Sequence, residues 1–219
     1  MSWHQALAVV ASTKLPEPYT LAQMTATDAP VVAAHLRSWY LDIQVGMESP
    51  HLSADFYLTE TQLDGVADER TLLPLVIRHP TDGVVAVITY ERNIEARLIS
   101  CRLGALAPEH RNASLALLGP LLLEELGRAM GAELAYYYAT LKTRHQQVIA
   151  ERRGFQLVGI VPGYDRDMVA DGVVKRVYEA AYAKLLVPSD QLETPPREAL
   201  TPRTRQVWSA LFGDGGLHE

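Results

Sequence analysis

The sequence of 219 residues is poor in several features, and each shortage excludes a class of protein. It contains one cysteine, Cys101, so it can form no intramolecular disulfide and offers no cysteine-based zinc site. No apolar run approaches the roughly 20 residues that a membrane-spanning helix needs. The first basic residue, Lys14, follows the short N-terminal apolar run instead of preceding it, which argues against a secretory signal. We therefore expect a cytoplasmic protein with no membrane partner and no metal ion.

Positive charge is also scarce. Lys and Arg total 20 against 26 Asp and Glu, which gives a formal charge of −6 and a pI near 5.6. Proteins that bind nucleic acid or anionic membranes usually carry a basic surface, so we expect neither as a partner. The length favours one domain with a tail. We predict a domain over 1–187, followed over 188–219 by a proline-containing linker and a short amphipathic helix.

The hydrophobic pattern predicts a mixed α/β (α+β) domain. β-Branched runs on both sides of Pro80-Thr81-Asp82-Gly83 indicate an antiparallel hairpin within 72–92. Further strands are predicted at 19–24, 96–106, 132–141, 155–161 and 173–186, with a loop over 162–172 between the last two. Helices are predicted at 28–43, at 53–64, from the turn after 106 to about Met130, and at 143–153. This order indicates a mixed central sheet of about seven strands with helices on both faces.

A turn without glycine, "PEHRNASLA" over 108–116, joins a predicted strand to a predicted helix. The first N–H groups of a helix have no intrahelical partner and carry partial positive charge, so a pyrophosphate is well suited to such a place. The small side chains of Ala113, Ser114 and Ala116 would let a phosphate approach the backbone. The alternative is a helix capped by Asn112 or Ser114 that binds no ligand.

Pro120 complicates this prediction because a proline inside the helix removes the hydrogen bond to the carbonyl of Ala116. Either the helix kinks at the proline, or it begins there and leaves 112–119 as an irregular turn. The second arrangement would destroy the phosphate site. Apolar residues on both sides of Pro120 favour the kink.

The segment "LAPEHRNASLALLGPLLLEEL" resembles the acetyl-CoA-binding segment of the GCN5-related N-acetyltransferase (GNAT) superfamily, whose signature is Q/R-x-x-G-x-G/A. Arg111 matches the first position and Ala116 the last, while Ser114 replaces the middle glycine. Serine still donates its backbone N–H. The order of elements over 19–186 and the Gly-Phe pair at 154–155 strengthen the resemblance, which implies a GNAT-like acyl-CoA N-acyltransferase fold.

The resemblance further implies an acetyl-CoA-dependent N-acyltransferase in which a primary amine attacks the thioester directly. A backbone N–H near Leu106 would polarise the thioester carbonyl. The residues that would contact acetyl-CoA are Leu106, Ala107, Arg111, Asn112, Ala113, Ser114, Leu115, Ala116 and Thr143. For Thr143 the alternative role is to cap the helix that follows.

Many relatives have a tyrosine that protonates the leaving thiolate, and the matching position here is Ala150. The thiolate leaves unassisted, since a thiol pKa of about 8.5 makes it a tolerable leaving group, or another residue protonates it. His145 is the leading candidate for this substitute acid. The alternative is that its side chain is simply solvated. Glu91 is a base acting through water, unless it only faces solvent. Tyr138 either lines the catalytic site between the separated strands or only packs at the core and rim of the sheet.

The alanine at 150, the serine at 114 and Pro120 favour a second hypothesis, a catalytically inert acyl-CoA-binding or regulatory module with the same fold. The acceptor amine and the acyl chain length are not encoded in any readable pattern. Asp165, Asp167 and Asp171 of the predicted loop either attract a cationic amine or are simply solvated. The tail helix must bury its apolar side against another surface, because a short helix is marginal alone in water. That side has Val207, Trp208, Leu211 and Phe212. It docks on its own domain, on the second subunit of a homodimer, or on another protein.

Overall fold

The fold is built on one mixed sheet of seven strands. The computed structural model describes residues 1–65, 69–111, 113–213 and 217, with only the backbone at 113 and 114, so Asn112 lies outside the described residues. The sheet order is β1-β2-β3-β4-β5-β7-β6. The strands are β1 (Thr20–Gln23), β2 (Leu72–His79), β3 (Gly83–Asn93), β4 (Leu98–Leu106), β5 (Leu134–Thr140), β6 (Gln156–Ala170) and β7 (Val173–Leu185).

Every pair of neighbouring strands is antiparallel except β4 and β5, which are parallel. The predicted hairpin corresponds to β2 and β3, and their turn closes on Gly83, whose φ is +71°. A parallel neighbour requires a crossover connection, and the chain supplies one by a helix between β4 and β5. The predicted fold class, a mixed α/β sheet of about seven strands, is confirmed.

Helices cover both faces of the sheet. They are α1 (Trp3–Ser12), α2 (Ala29–Trp39), α3 (Ala54–Glu60), α4 (Ala113–Ala116), α5 (Leu118–Met130), α6 (His145–Arg152) and α7 (Pro202–Phe212). Apolar residues of α1 and α5 form one buried cluster with the sheet. Residues of α2 and α3 form another on the opposite side. In the part of the chain that the structure describes, no helix combines the length and the apolar character needed to cross a membrane.

The N-terminal helix α1 was not predicted. The Ser2 hydroxyl caps it by accepting a hydrogen bond from the N–H of His4 at 3.2 Å. Trp3 is 0% exposed, and its indole N–H donates to the carbonyl of Arg70 at 2.8 Å. The guanidinium of Arg92 lies 4.9 Å from the centre of the Trp3 ring. The short apolar run at the N-terminus is therefore the buried face of a helix.

The predicted loop over 162–172 is wrong, because β6 continues to Ala170 and β7 starts at Val173. The connection is a tight turn with Gly172 at φ +66°. Pro162 and Gly163 made the segment look like a loop. β6 is the edge strand of the sheet, however, and an edge strand tolerates a proline whose missing N–H would face outward. Register shifts on β6 absorb the irregular residues.

The helix around Pro120 is broken one turn earlier than the proline. The short turn α4 ends at Ala116, and α5 starts at Leu118 with Pro120 as its third residue. Proline is tolerated there because the first N–H groups of a helix have no intrahelical partner. The structure combines parts of both alternatives. The chain kinks between α4 and α5, and α4 keeps a helical turn where the phosphate site was predicted.

The tail contains the predicted helix. The Thr201 hydroxyl accepts a hydrogen bond from the N–H of Thr204 at 3.2 Å, and Pro202 is the first helical residue. The rings of Trp208 and Phe212 pack at 4.9 Å. The helix lies against β6, yet none of its residues is fully buried.

Candidate functional site

The two parallel strands at the centre of the sheet separate partway along their length. β4 and β5 pair from Leu98 with Leu134 to Cys101 with Tyr137, after which both strands continue unpaired with each other. The separation coincides with a β-bulge in β4. Tyr90 of β3 pairs with Cys101, and Thr89 pairs with Leu103, so Arg102 is an extra residue. A bulge bends and twists its strand, which here directs β4 away from β5.

A cavity of about 280 Å³ lies between the separated strands. Six of the predicted site residues line it: Leu106, Arg111, Leu115, Ala116, Tyr138 and His145. Two of the predicted acetyl-CoA contacts are placed elsewhere. Ala107 is buried and its N–H donates to the carbonyl of Val85 at 2.8 Å, and Thr143 is exposed outside the cavity wall.

The backbone of β4 offers hydrogen-bonding groups to this cavity. Because Ala107 bonds to β3, the alternation of an antiparallel ladder directs the N–H and C=O of Leu106 and Gly104 away from β3. At Leu106 both groups are engaged, since its N–H donates to the Tyr40 hydroxyl at 3.2 Å and that hydroxyl lies 3.4 Å from its carbonyl. Gly104 is exposed, and a Cβ there would meet no atom within 4 Å. Gly104 is thus the more open of the two, and it is not among the residues predicted from the sequence.

Arg111 lies at the mouth of the cavity. Its guanidinium is 4.8 Å from the centre of the Tyr40 ring and donates to the carbonyls of Leu106 at 3.4 Å and Trp39 at 3.3 Å. The side chain is exposed, directly before the α4 turn. This arrangement puts a positive charge beside the backbone where the sequence predicted a phosphate.

Tyrosines of β5 line the point where the strands separate. Tyr137 is 7% exposed, its hydroxyl donates to the amide oxygen of Gln146, and burial raises its pKa. Tyr138 projects to the other face, where its ring stacks on Tyr164 at 4.6 Å and lies 6.3 Å from Tyr136. The predicted alternation of these tyrosines is confirmed.

A second cavity, of about 460 Å³, adjoins the first. Six residues line both: Glu48, Cys101, Arg102, Tyr138, Asp165 and Glu179. The second cavity also contains Glu91 and the rings of Tyr136 and Tyr164. It therefore has four carboxyl side chains and an aromatic wall.

Two cations of the site, Arg102 and Lys142, have carboxylate partners, whereas Arg111 at the mouth contacts main-chain carbonyls. Arg102 lies 2.8 Å from Glu91 and 3.6 Å from Glu48. Lys142 bridges Asp42 and Asp167, at 2.6 Å from each. With these contacts made, the carboxyl groups of Asp165 and Glu179 remain as excess negative charge in the described wall.

Asp165 and Asp167 fix the loop after α2 against β6. Asp165 accepts hydrogen bonds from the N–H of Met47 at 2.8 Å and of Arg166 at 2.6 Å. Both aspartates are buried, so a solvated role is wrong for them, whereas Asp171 is exposed in the β6–β7 turn. Gly46 is required in the loop, because its φ is +93° and a Cβ would lie 2.2 Å from the carbonyl oxygen of Arg166.

Burial changes the acidity of several groups in the site. Desolvation raises the pKa of Glu48 to about 7, an effect that Arg102 opposes and Asp165 increases. Desolvation, with the negative charges of Asp165 and Asp167, raises the pKa of Glu179 to about 7. Burial raises the pKa of Cys101 to about 12. Near neutral pH, therefore, two carboxyls are poised to exchange protons, and the Cys101 thiol is not a nucleophile.

Comparison with known proteins places this geometry in a structural family. No protein-family model and no curated protein sequence matches the chain. Among solved structures, a dodecameric spermidine N-acetyltransferase from Vibrio cholerae is 14% identical, with a TM-score of 0.60 over 81% of this chain and 98% of that one. A ribosomal-protein-S5-alanine acetyltransferase from Vibrio fischeri is 10% identical, with a TM-score of 0.60 over 78% and 95%. A probable GNAT-family acetyltransferase from Chromobacterium violaceum is 13% identical, with a TM-score of 0.56 over 78% and 84%. The chain has the fold of the GNAT-family acetyltransferases, as its sequence predicted.

Proposed function

We propose that this protein is an acetyl-CoA-dependent N-acyltransferase that moves the acyl group from CoA to a primary amine by direct attack. The observation that carries the proposal is the separation of β4 and β5 beyond Cys101 and Tyr137, which opens a cavity beside Gly104. The fold supports the same class of reaction. The solved structures of similar fold include enzymes named for spermidine and for an alanine of a ribosomal protein, both of which offer amines.

In this proposal the pantetheine arm lies along the open edge of β4. The N–H of Gly104 polarises the thioester carbonyl, a task that the sequence analysis gave to Leu106. The arm replaces the Tyr40 hydroxyl as the hydrogen-bond partner of the Leu106 backbone. Ala107 holds this part of β4 against β3 through its bond to Val85. The pyrophosphate lies at the turn that begins with Arg111, where the backbone of α4 provides N–H donors. The proposed contacts of the pyrophosphate are Asn112, Ala113, Ser114, Leu115 and Ala116. Thr143, which is exposed outside the cavity wall, contacts the CoA moiety from its solvent side.

The reaction needs two proton movements. The attacking ammonium must lose a proton before its nitrogen adds to the carbonyl carbon, and the thiolate that leaves when the C–S bond breaks must be stabilised or protonated. His145 and Tyr138 line the first cavity and are candidates for the second task. Tyr137 adds a hydroxyl group at the point where the strands separate. Glu91 lines the second cavity as a candidate base, although Arg102 holds its carboxylate at 2.8 Å.

The second cavity is suited to a cationic acceptor. Among the described residues, its wall has four carboxyl groups and one guanidinium, that of Arg102, and tyrosine faces attract cations. Arg102 and Lys142 each pair with two carboxylates, so neither is free to bind an acceptor's carboxylate. We therefore propose amines with no adjacent carboxylate as the preferred acceptors.

An amine screen tests the function. The full chain is incubated with acetyl-CoA and matched amines with and without a carboxylate, such as ethylenediamine and glycine, and released thiol is measured. We expect amine-dependent release that favours the diamine. Tight binding of acetyl-CoA without release for any amine would support the inert acyl-CoA-binding module, and a preference for glycine would overturn the proposed acceptor class.

We also propose that the chain forms a homodimer in the cytoplasm. The apolar residues of α7 support the assembly, because Val207 is 52% exposed and no residue of the helix is buried within one chain. Light scattering of the full chain and of a Val207→Ser, Trp208→Ser variant tests it. A monomeric wild-type chain would refute the dimer.

A further inference from the structure

The carboxyl group of Glu48 lies where the two cavities meet. Glu48 lines both cavities, and its side chain is 19% exposed. A group at this junction can reach an amine in the second cavity as the amine approaches a thioester in the first. We propose that Glu48 is the general base that accepts a proton from the attacking amine; this inference rests on the N-acyltransfer proposed above.

The loop that carries Glu48 is held in place by contacts on both sides of it. Gly46 passes so close to β6 that no side chain fits, and the N–H of Met47 donates to Asp165 at 2.8 Å. The Ser49 hydroxyl donates to the carbonyl of Gly46 at 2.8 Å. A base on a fixed loop keeps its distance from the reacting nitrogen, which general base catalysis requires.

The groups around Glu48 leave its carboxylate only partly compensated. Arg102 of β4 is the nearest cation, at 3.6 Å, and Glu91 shares it at 2.8 Å. The carboxyl groups of Asp165 on β6 and Glu179 on β7 both raise the pKa of Glu48 by charge repulsion. Within the described part of the chain, the Oε2 atom of Glu48 accepts no hydrogen bond. A weakly compensated carboxylate is a stronger base than an ordinary one.

His51 approaches the same carboxylate without neutralising it. Its Nδ1 atom lies 3.2 Å from Glu48 Oε2 and 3.2 Å from the main-chain carbonyl of Glu48. A carbonyl can only accept, so Nδ1 carries the proton and donates there. Burial lowers the pKa of His51 to about 4, so the ring is neutral at neutral pH and forms no ion pair with Glu48.

The proton balance of the step is complete. The acceptor enters as an ammonium ion, and Glu48 takes one proton, directly or through one water molecule. The neutral nitrogen adds to the carbonyl carbon and becomes positively charged as the C–N bond forms. It then gives its second proton to the sulfur, through a nearby hydroxyl or a water molecule, while the C–S bond breaks and CoA leaves as the thiol. Protonated Glu48 returns its proton to solvent. The pKa of Glu179 is also raised to about 7, so this group titrates in the same range.

The test is the pH dependence of Glu48→Gln, measured as thiol release from acetyl-CoA with 1,5-diaminopentane, whose two well-separated amines both stay protonated near pH 7 and add no inflection of their own there. We expect a loss of about 10²–10³-fold in kcat/KM at pH 7, with acetyl-CoA affinity unchanged within about twofold. In the wild type, kcat/KM falls as the pH drops below about 7, where Glu48 is protonated. In the variant that inflection disappears, and the rate rises with pH toward the amine pKa. Glu60→Gln, on the exposed surface of α3, is the matched control and keeps the wild-type profile.

The outcomes separate this inference from the proposed function. Turnover by Glu48→Gln within threefold of the wild type, with the inflection retained, would overturn the role of Glu48 and leave the N-acyltransfer intact. Loss of the inflection in Glu91→Gln but not in Glu48→Gln would assign the base to Glu91 instead. A wild-type chain that shows no turnover with any amine would overturn both.

Discussion

Cys101 and Tyr137 are the last residues through which β4 and β5 pair, and the Arg102 bulge follows directly on β4. A strand that loses its neighbour exposes unpaired N–H and C=O groups, which are usually a liability. Here they line a cavity inside the sheet, where a linear ligand can replace the missing strand. The proposed acetyl-CoA site therefore follows from hydrogen bonds that the sheet does not make.

The first prediction concerns Tyr40, whose hydroxyl engages the backbone of Leu106. In Tyr40→Phe the ring remains to stack on Arg111, but the hydroxyl no longer competes with a ligand for the Leu106 N–H. One hydrogen bond is worth about 1 kcal/mol, so acetyl-CoA should bind about fivefold more tightly. Calorimetry measures the change. Weaker binding by the variant would show that Tyr40 supports the ligand instead of competing with it.

The second prediction links Glu48 to stability. Its pKa is raised from 4.5 to about 7 in the fold, so the folded state holds the proton more tightly than the unfolded state. Stability is thus lost as the pH rises from about 4.5 through 7, and Glu48→Gln removes this loss. The variant should exceed the wild type by about 1–3 kcal/mol in the free energy of unfolding at pH 8, and the two should converge near pH 4. Urea unfolding at both pH values measures this, and an equal difference at both would contradict it.

The third prediction concerns the helix that the sequence analysis missed. Trp3 is fully buried between α1 and the sheet. Trp3→Ala should lower the free energy of unfolding by about 3–5 kcal/mol, because it removes a large buried ring. Gln5→Ala, on the exposed side of α1, is the control and should change it little. A similar small effect for both would mean that α1 does not belong to the cooperative fold.

The central part of the fold could be predicted because its strands and helices have clear local patterns. The β2–β3 hairpin has a turn sequence between β-branched runs, and the strand-to-helix turn at Arg111 has a recognisable spacing. The second half of β6 could not be predicted, since Pro162 and Gly163 indicate a loop by composition. Only the position of β6 at the sheet edge makes them compatible with a strand.

Only part of the candidate site could be predicted from the sequence, because some of its residues are brought together by tertiary contacts. Gly104 had a signal, because a glycine inside a strand often marks a close approach of a ligand to the backbone. Glu48 had none. It lies in an irregular loop, and that loop is held at the cavities by a hydrogen bond from the neighbouring Met47 N–H to Asp165, more than a hundred residues away in the chain. Such tertiary contacts are not encoded in local spacing.

The most direct test of the account is acetyl-CoA binding by Gly104→Val, compared by calorimetry with Gly159→Val. A Cβ at either glycine meets no protein atom within 4 Å, and thermal unfolding of both variants checks that the two γ-methyls of valine leave the fold intact. Of the two positions, only Gly104 lines the cavity between β4 and β5. We predict that Gly104→Val weakens acetyl-CoA binding at least tenfold and that Gly159→Val leaves it within about twofold of the wild type. Wild-type affinity in Gly104→Val would contradict the placement of the ligand along β4.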